Sequence, residues 1–321
     1  MRSRQDISEA FSSDEIFVID GAMSTALERL GCDLQDSLWT ASILAKQPEL
    51  IKQVHQNYFH AGADCGITCS YQASIPGLLE HGYSEAEAER LLRLSVQLLL
   101  DAGEEWWEKE GRDSGRRKPF CLASVGPYGA YLADGSEYRG NYGIEAKELE
   151  KFHRRRMEIL WDAGADVLLM ETFPSLEEAK ITAAIAEKMD ADYWISFSCK
   201  DGGHMNDGAA IETCAKVFAI GHPHCKCIGV NCIAPEYVEE LIGRLKECCD
   251  LPIAVYPNSG EEYDPVTKAW HGGRGACPYD EYAKRWIAAG ADAVGGCCRT
   301  VESHIQMIRA AAANRSLRNS R

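Results

Sequence analysis

Short, almost continuous apolar runs alternate along the chain with longer amphipathic segments. Such runs, bounded by polar residues, are typical of buried parallel strands, and the amphipathic segments are typical of surface helices. Amphipathic segments between the runs include PELIKQVHQNYFHAG, PEYVEELIGRLKECC and PYDEYAKRWIAAG. Eight runs have the character of strands, at residues 16–21, 65–71, 120–126, 167–173, 193–199, 227–232, 252–260 and 293–298.

A repeated pattern links helix to strand at three places, in FHAGADCGITCSY, WDAGADVLLMETF and IAAGADAVGGCCR. In each, an amphipathic helix ends at a glycine, an Ala-Asp step follows, and an apolar run begins. The glycines are Gly62, Gly164 and Gly290. Eight alternations of strand and helix predict a (β/α)8 TIM barrel that occupies residues 1–321 as one domain with short flexible ends. A doubly wound open sheet is the alternative fold.

The barrel prediction also locates the active site, because catalytic residues of this fold lie at the carboxyl ends of the strands. The connection over residues 127–143, PYGAYLADGSEYRGNYG, is rich in Gly and Tyr and follows the third predicted strand. We therefore expect it to cover the mouth of the barrel as a lid.

Composition and charge restrict the partners. The chain has 321 residues, 45% of them hydrophobic and 26% charged, which is typical of a globular enzyme. A net charge of −15 opposes binding to a phosphate backbone, so no nucleic-acid partner is expected. The opening MRSRQDISEA has no apolar signal segment, and no run is long enough to span a bilayer. We expect a cytoplasmic protein that does not bind membranes, and the sequence leaves its oligomeric state open.

Three of the 14 cysteines fall at predicted strand ends on the catalytic face. Cys232 ends the sixth strand, and Cys297 and Cys298 end the eighth. Neighbouring side chains of a regular strand point to opposite sides, so we expect Gly295 and Gly296 to supply the backbone freedom that turns both sulfurs inward. Three thiolates with an open fourth position are typical of a catalytic zinc. A packing accident or a redox pair are the alternatives.

Two other cysteine clusters lie at the wrong end of the predicted barrel. GHPHCKC, at residues 221–227, precedes the sixth strand, and KECCD, with Cys248 and Cys249, precedes the seventh. Both are placed at the face that serves stability rather than catalysis. Cys65 and Cys69 lie within the second predicted strand, where core packing is the better interpretation.

Several motifs together resemble the homocysteine S-methyltransferases: IDGAMSTALERLG, METFPSLEEA, GVNC, VYPNSGE and GGCCRT, which follow in order from about residue 20 to 300. The resemblance implies a zinc-dependent TIM barrel that methylates homocysteine to methionine. The branch that this chain resembles most uses S-methylmethionine, and often S-adenosylmethionine, as methyl donor. Carried onto this sequence, the resemblance implies one Zn²⁺ per chain, bound by Cys232, Cys297 and Cys298.

The same resemblance implies substrate contacts. Asp20 and Glu171 match residues that hold the amino-acid end of homocysteine, and each follows an apolar strand, where a carboxylate suits an ammonium group. Gly21 would let the backbone approach a ligand carboxylate closely. Trp39 falls where betaine-using relatives have an aromatic residue near the donor, although the surrounding sequence differs.

Other strand-end residues have open roles. Asn231 and Asn258 would hydrogen-bond substrate, hold a loop that carries a ligand, or simply form a turn. Tyr71, Tyr128 and Tyr131, together with Trp39, are candidates for a cation–π contact with a sulfonium, with packing as the alternative.

Alternative functions predict different observations. A betaine-dependent homocysteine methyltransferase would need only different residues around the same zinc. A vicinal-dithiol redox protein would use Cys297 and Cys298 without a stoichiometric metal, and a binding barrel with a structural zinc would have a fourth protein ligand. Folate-dependent relatives carry further modules, which the sequence after the eighth strand has no room for.

Overall fold

All of the strands predicted from the apolar runs form, and they pair side by side in parallel. The computed structural model describes residues 3–34, 40–264, 269–272 and 278–319, without the side chains of 262–264, 269–272 and 314–319. Its strands are β1 (Phe17–Val18), β2 (Cys65–Ile67), β3 (Phe120–Val125), β4 (Val167–Phe173), β5 (Tyr193–Phe197), β6 (Cys225–Asn231), β7 (Ile253–Tyr256), β8 (Glu261–Asp264), β9 (Ala269–Gly272) and β10 (Ala293–Val294).

Helices connect these strands on the outside. They are α1 (Ile7–Ala10), α2 (Met23–Arg29), α3 (Thr40–Lys46), α4 (Pro48–Ala61), α5 (Ile75–Glu80), α6 (Glu85–Lys109), α7 (Tyr128–Leu132), α8 (Ala146–Asp162), α9 (Leu176–Lys188), α10 (Ile211–Phe218), α11 (Val238–Lys246), α12 (Tyr279–Ala289) and α13 (Glu302–Asn319). None of the described helices is both long enough and apolar enough to cross a membrane.

The strand order is β1-β10-β7-β6-β5-β4-β3-β2, so chain neighbours are sheet neighbours and the first strand pairs with the last. In a doubly wound sheet, the order in which successive strands are added across the sheet would instead reverse partway along the chain. The predicted (β/α)8 TIM barrel is therefore confirmed. β8 and β9 form a separate antiparallel hairpin after β7, which the apolar pattern did not predict.

Carboxylates complete the barrel where β1 meets β2. The Asp64 backbone N–H donates to the Val18 carbonyl at 2.7 Å, and the Val18 N–H donates to the Asp64 carboxylate at 2.9 Å. Further up, the Ile67 N–H donates to Asp20 Oδ2, also at 2.9 Å. Aspartate side chains thus accept hydrogen bonds from strand N–H groups that would otherwise pair with the carbonyls of a neighbouring strand.

The repeated Gly-Ala-Asp step has a structural explanation. Its glycines end helices with positive φ of 120°, 104° and 111°, which is the expected helix C-cap. Its aspartates, Asp64, Asp166 and Asp292, accept hydrogen bonds from backbone N–H groups of β1, β3 and β7 respectively. Each aspartate therefore joins the start of its own strand to a neighbouring strand.

Strand alternation divides the barrel interior into layers. Inward side chains near the amino ends of the strands are apolar, as with Leu122, Leu169 and Trp194, and they form a core distinct from the one beneath the helices. Phe11 closes the bottom by packing on Trp194, with ring centroids 5.6 Å apart. Two residues further along three of these strands, the period of two places the polar side chains of Ser124, Glu171 and Ser196 inward, and Asn231 follows at the end of β6.

Candidate metal and substrate site

Cys232, Cys297 and Cys298 converge at the carboxyl ends of β6 and β10. Their sulfurs lie within 4.8 Å of one another. Cys232 Sγ is 3.6 Å from Cys298 Sγ, and the sulfurs of Cys297 and Cys298 are 4.0 Å apart. Among the described side chains, this trio is the one group of His, Cys, Asp or Glu residues close enough together to hold a metal ion.

The two adjacent cysteines face the same point because they lie beyond the strand. β10 ends at Val294, and Cys297–Thr300 forms a turn in which the Thr300 N–H donates to the Cys297 carbonyl at 3.1 Å. The glycines are needed for space rather than for unusual torsion angles: a Cβ at Gly295 would lie 2.5 Å from Ile19 Cβ, and one at Gly296 would lie 2.3 Å from Thr300 Oγ1. The pleat ends before Gly295, as expected, but neither glycine has a positive φ, so what requires them is the lack of space for a side chain.

Left-handed backbone occurs at Cys232, with φ of 53°, and at Arg299, with φ of 65°. Non-glycine residues adopt this conformation at a cost and persist in it where the surroundings hold them. Beside the three sulfurs, the Cys297 N–H donates to the Pro257 carbonyl at 2.8 Å, and the Ser259 N–H donates to the Cys298 carbonyl at 3.0 Å. The loops after β7 and β10 thus fix each other.

The surroundings of Cys232 favour a thiolate. Hydrogen bonds from the Cys297 and Cys298 thiols lower the pKa of Cys232 well below the usual range, and the same bonds raise the pKa of Cys297 and Cys298. The Tyr138 hydroxyl also lies 3.3 Å from Cys232 Sγ. The site therefore stabilises negative charge on sulfur.

Asp20 and Glu171 place two buried carboxylates beside the sulfurs. Their residues are 2% and 7% exposed. Burial raises the pKa of Asp20 well above its usual value, with a smaller contribution from Glu171, and burial raises the pKa of Glu171 to about 7. Ser124 Oγ donates to Glu171 Oε1, while Asp20 Oδ1 is buried without a hydrogen-bond partner in the described part of the chain. Unpaired buried carboxylate oxygens are suited to a cationic ligand.

The two asparagines have different surroundings. Asn231 is fully buried, and its Oδ1 accepts hydrogen bonds from the Thr172 N–H and Ser196 Oγ, both at 2.8 Å. Asn231 thus holds the bulge that follows Glu171, where Thr172 has a φ of 60°. Asn258 instead hydrogen-bonds Cys232 and helps to lower its pKa, and its Oδ1 has no partner among described residues.

Gly21 has a local packing role. A Cβ at this position would lie 2.9 Å from the Tyr58 hydroxyl, which donates to the Ala22 carbonyl at 3.0 Å. The glycine therefore lets Tyr58 pack against the loop that follows β1; its contact with substrate stays a prediction. Trp39 lies outside the described residues.

The predicted lid, residues 127–143, reaches the sulfurs through Tyr138 rather than through the tyrosines singled out from the sequence. Tyr128 and Tyr131 pack on Phe152 of α8, with ring centroids 5.0 and 5.4 Å from it. Tyr71 lies nearer the site, where burial and the charges of Glu137 and Cys232 raise its pKa.

A buried polar cluster anchors both ends of this lid. Glu178 accepts hydrogen bonds from the Tyr128 N–H at 2.6 Å, the Tyr142 hydroxyl at 3.0 Å and His153 Nε2 at 2.8 Å. Arg156 donates to His153 Nδ1 and to the Gly126 carbonyl. Burial lowers the pKa of His153 to about 4, so the imidazole is neutral at physiological pH. Hydrogen bonds to this buried cluster therefore fix both ends of the lid.

The competing cysteine clusters have ordinary partners, as expected. His222 hydrogen-bonds the Tyr193 hydroxyl at 2.9 Å, and His224 hydrogen-bonds Asp192 at 3.0 Å. Cys225 and Cys227 are buried in β6. None of these residues belongs to the group of described side chains that could hold a metal.

Comparisons with known proteins identify the family of the chain. The sequence profile of the homocysteine S-methyltransferases matches residues 17–312. Homocysteine S-methyltransferase YbgG of Bacillus subtilis is 52% identical over 92% of this chain and 94% of its own length, and the homocysteine S-methyltransferase of Escherichia coli is 42% identical over 97% and 99%. The metallated form of the homocysteine methyltransferase MmuM from Escherichia coli superimposes with a TM-score of 0.84 at 39% identity, covering 95% of this chain and 99% of that one.

These likenesses span the barrel and both loops that carry the sulfurs. They decide against the thiol redox protein and the non-catalytic binding barrel. The chain belongs to the homocysteine S-methyltransferase family.

Proposed function

We propose that Cys232, Cys297 and Cys298 bind one zinc ion, and that the enzyme uses a sulfonium methyl donor, S-methylmethionine or S-adenosylmethionine, to convert homocysteine to methionine. The convergence of three sulfurs from β6 and β10 within 4.8 Å carries the proposal. The comparison with a metallated relative supports a metal in this family.

The sulfur positions fit zinc. Tetrahedral bonds of about 2.3 Å place two sulfur ligands roughly 3.8 Å apart. The two measured separations, 3.6 and 4.0 Å, lie on either side of this value. An all-thiolate donor set of three with room for a fourth ligand is typical of catalytic rather than structural zinc.

Bound zinc would supply an open position at which a substrate thiol is held as thiolate at neutral pH. The protein's own contribution is to position homocysteine. We assign its ammonium group to Glu171 and Asp20, because both carboxylates are buried at the top of the barrel and Asp20 Oδ1 lacks a partner among described residues. Ser124 donates a hydrogen bond to Glu171 Oε1 and so helps to orient the carboxylate.

The methyl transfer needs no general base, because each bond formed or broken is accounted for by an electron pair on one of the two sulfurs. The homocysteine sulfur forms a bond to the methyl carbon with its own electron pair, and the pair of the breaking carbon–sulfur bond returns to the donor sulfur. The thiol proton is released to solvent when homocysteine binds, before the methyl step. Because a thiolate and a sulfonium become two neutral thioethers, a partly dry pocket favours the reaction over the hydrated ions. The lid excludes water and aligns the donor.

A donor panel tests the proposal. With homocysteine as acceptor and methionine as readout, we expect turnover with S-methylmethionine and with S-adenosylmethionine. The ratio of the two rates gives the preferred donor. Betaine and methyltetrahydrofolate should give none. Turnover with betaine in place of both sulfonium donors would contradict the proposed donor class while leaving the family unchanged.

A further inference from the structure

One carboxylate near the sulfurs has no role in holding homocysteine. Glu137 lies in the single helical turn Ser136–Tyr138 of the lid, next to the tyrosine whose hydroxyl is 3.3 Å from Cys232 Sγ. Its Oε2 atom is buried and has no hydrogen-bond partner in the described part of the chain. Such an oxygen normally finds a partner, so its isolation indicates a ligand.

The position of Glu137 is fixed by its backbone rather than by its side chain. A Cβ at Gly129 would lie 2.5 Å from the Glu137 nitrogen, so α7 packs directly on the turn. Ser198 Oγ donates to the Glu137 carbonyl at 3.3 Å, and the Ser136 N–H donates to Asp134 Oδ1 at 3.0 Å. The backbone of the turn is therefore held in place, and Oε2 of the carboxylate is left without a partner among the described residues.

No protein cation neutralises Glu137 among the described ion pairs. Arg139, two residues later, instead binds Asp134 and Ser136, at 3.2 and 2.9 Å. Burial, with smaller contributions from the like charges of Cys232 and Asp134, raises the pKa of Glu137 to about 7 against the opposing effects of its own backbone N–H and of the Arg139 charge. A carboxylate in an anionic, half-buried position is stabilised most by a cationic ligand.

We propose that Glu137 binds the positively charged sulfonium of the methyl donor and so selects sulfonium donors; this inference rests on the donor class proposed above. Asp20 and Glu171 already account for the ammonium of homocysteine. The remaining cation of the reaction is the donor, which must approach the sulfurs from the side that the lid covers. Glu137 and Tyr138 occupy that side.

The chemistry of the transfer predicts where the contact acts. The sulfonium charge is greatest in the bound donor and is lost as the methyl group moves, so Glu137 stabilises the ground state more than the transition state. It should therefore lower the donor KM without raising kcat. The demethylated donor is a neutral thioether, so the contact weakens after transfer and release becomes easier.

Methionine and S-methylmethionine provide a matched pair, because they differ by the methyl group and the charge that it brings. Calorimetric titration of the zinc enzyme without homocysteine measures both affinities without turnover. We expect Glu137→Gln to weaken S-methylmethionine at least about tenfold. Methionine should stay within twofold, because it has no sulfonium whether it occupies the donor position or the homocysteine position. Steady-state rates should show a matching rise in donor KM, a smaller change in kcat and an unchanged homocysteine KM.

Glu148→Gln is the control, since Glu148 is an exposed acid in the first turn of α8. Equal loss of both ligands in Glu137→Gln, or loss of neither, would overturn the inference, and an unchanged melting curve shows that the lid variant is folded. A wild-type enzyme that binds no sulfonium would overturn the proposed donor class and this inference together. A wild type that binds S-methylmethionine no more tightly than Glu137→Gln does would overturn the inference alone.

Discussion

Replacing Cys298 by serine is expected to abolish both zinc binding and activity while the barrel stays folded. The substitution removes one of three sulfurs that lie within 4.8 Å of one another. Metal activation of a nucleophile is worth several kcal/mol, so we expect kcat/KM to fall by at least about 10³-fold. The fold should survive because Cys298 lies in the turn after β10 and contributes its carbonyl, which serine keeps, to the hydrogen bond with Ser259.

Zinc content by mass spectrometry, methionine formation and circular dichroism measure the three parts of this prediction. Cys248→Ser is the matched control, since Cys248 is a half-buried free cysteine after α11 and lies outside the metal-capable trio. The control should keep zinc and activity. A Cys298→Ser enzyme that turns over homocysteine without metal would refute the mechanism.

Replacing Glu171 by glutamine should weaken homocysteine binding strongly. The variant keeps the shape of the side chain but removes the charge that we assign to the substrate ammonium. A hydrogen bond to a charged group contributes about 1.5–3 kcal/mol, which corresponds to a roughly 10- to 150-fold fall in kcat/KM for homocysteine. Glu177→Gln, at an exposed acid in the first turn of α9, is the control and should change little.

The pH dependence distinguishes a charged contact from a merely structural one. Glu171 is protonated below its pKa of about 7 and then cannot attract the ammonium, so affinity should increase as the pH rises through about 7 and then level off. Methionine is the suitable probe because it has the same amino-acid end and no thiol to titrate. Its inhibition constant should follow this profile in the wild type and lose it in Glu171→Gln.

Ser124→Ala extends the same test. The Ser124 hydroxyl hydrogen-bonds the Glu171 carboxylate and lowers its pKa. Its removal should therefore move the midpoint of the methionine profile to higher pH. A wild-type profile that is flat between about pH 5.5 and 8 would mean that Glu171 does not bind the ammonium.

The sequence was sufficient to predict the barrel and the convergence of the three cysteines that we propose as metal ligands. The barrel strands are buried on both faces, so they appear as apolar runs that a single sequence displays. The cluster could be predicted because parallel strands all end at one face, which brings Cys232 next to Cys297 and Cys298 although they lie at least 65 positions apart in the chain.

Segments whose sequence has no regular spacing of apolar residues could not be predicted in this way. The β8–β9 hairpin consists of short, mostly polar strands outside the barrel, and Glu137 and Tyr138 lie in a loop whose Gly- and Tyr-rich sequence has no regular pattern. Tyr128 and Tyr131 are equally aromatic, yet they pack on Phe152. Only the three-dimensional course of the lid separates these tyrosines from Tyr138.

Local reasons for individual residues also required the structure. The aspartates of the repeated Gly-Ala-Asp step are recognisable as a pattern, but their function as acceptors for neighbouring strands depends on which strands pair. Likewise, a side chain at Gly295 would collide with Ile19, and one at Gly296 would collide with Thr300. Sequence spacing alone does not indicate either contact.

The central claim is that three protein sulfurs bind one zinc ion and leave a position for the sulfur of homocysteine. X-ray absorption at the zinc edge counts the sulfur neighbours at about 2.3 Å directly. We predict three sulfurs in the enzyme alone and four after homocysteine is added. A sulfur count that does not rise with homocysteine, or a zinc already closed by four protein ligands, would contradict the account.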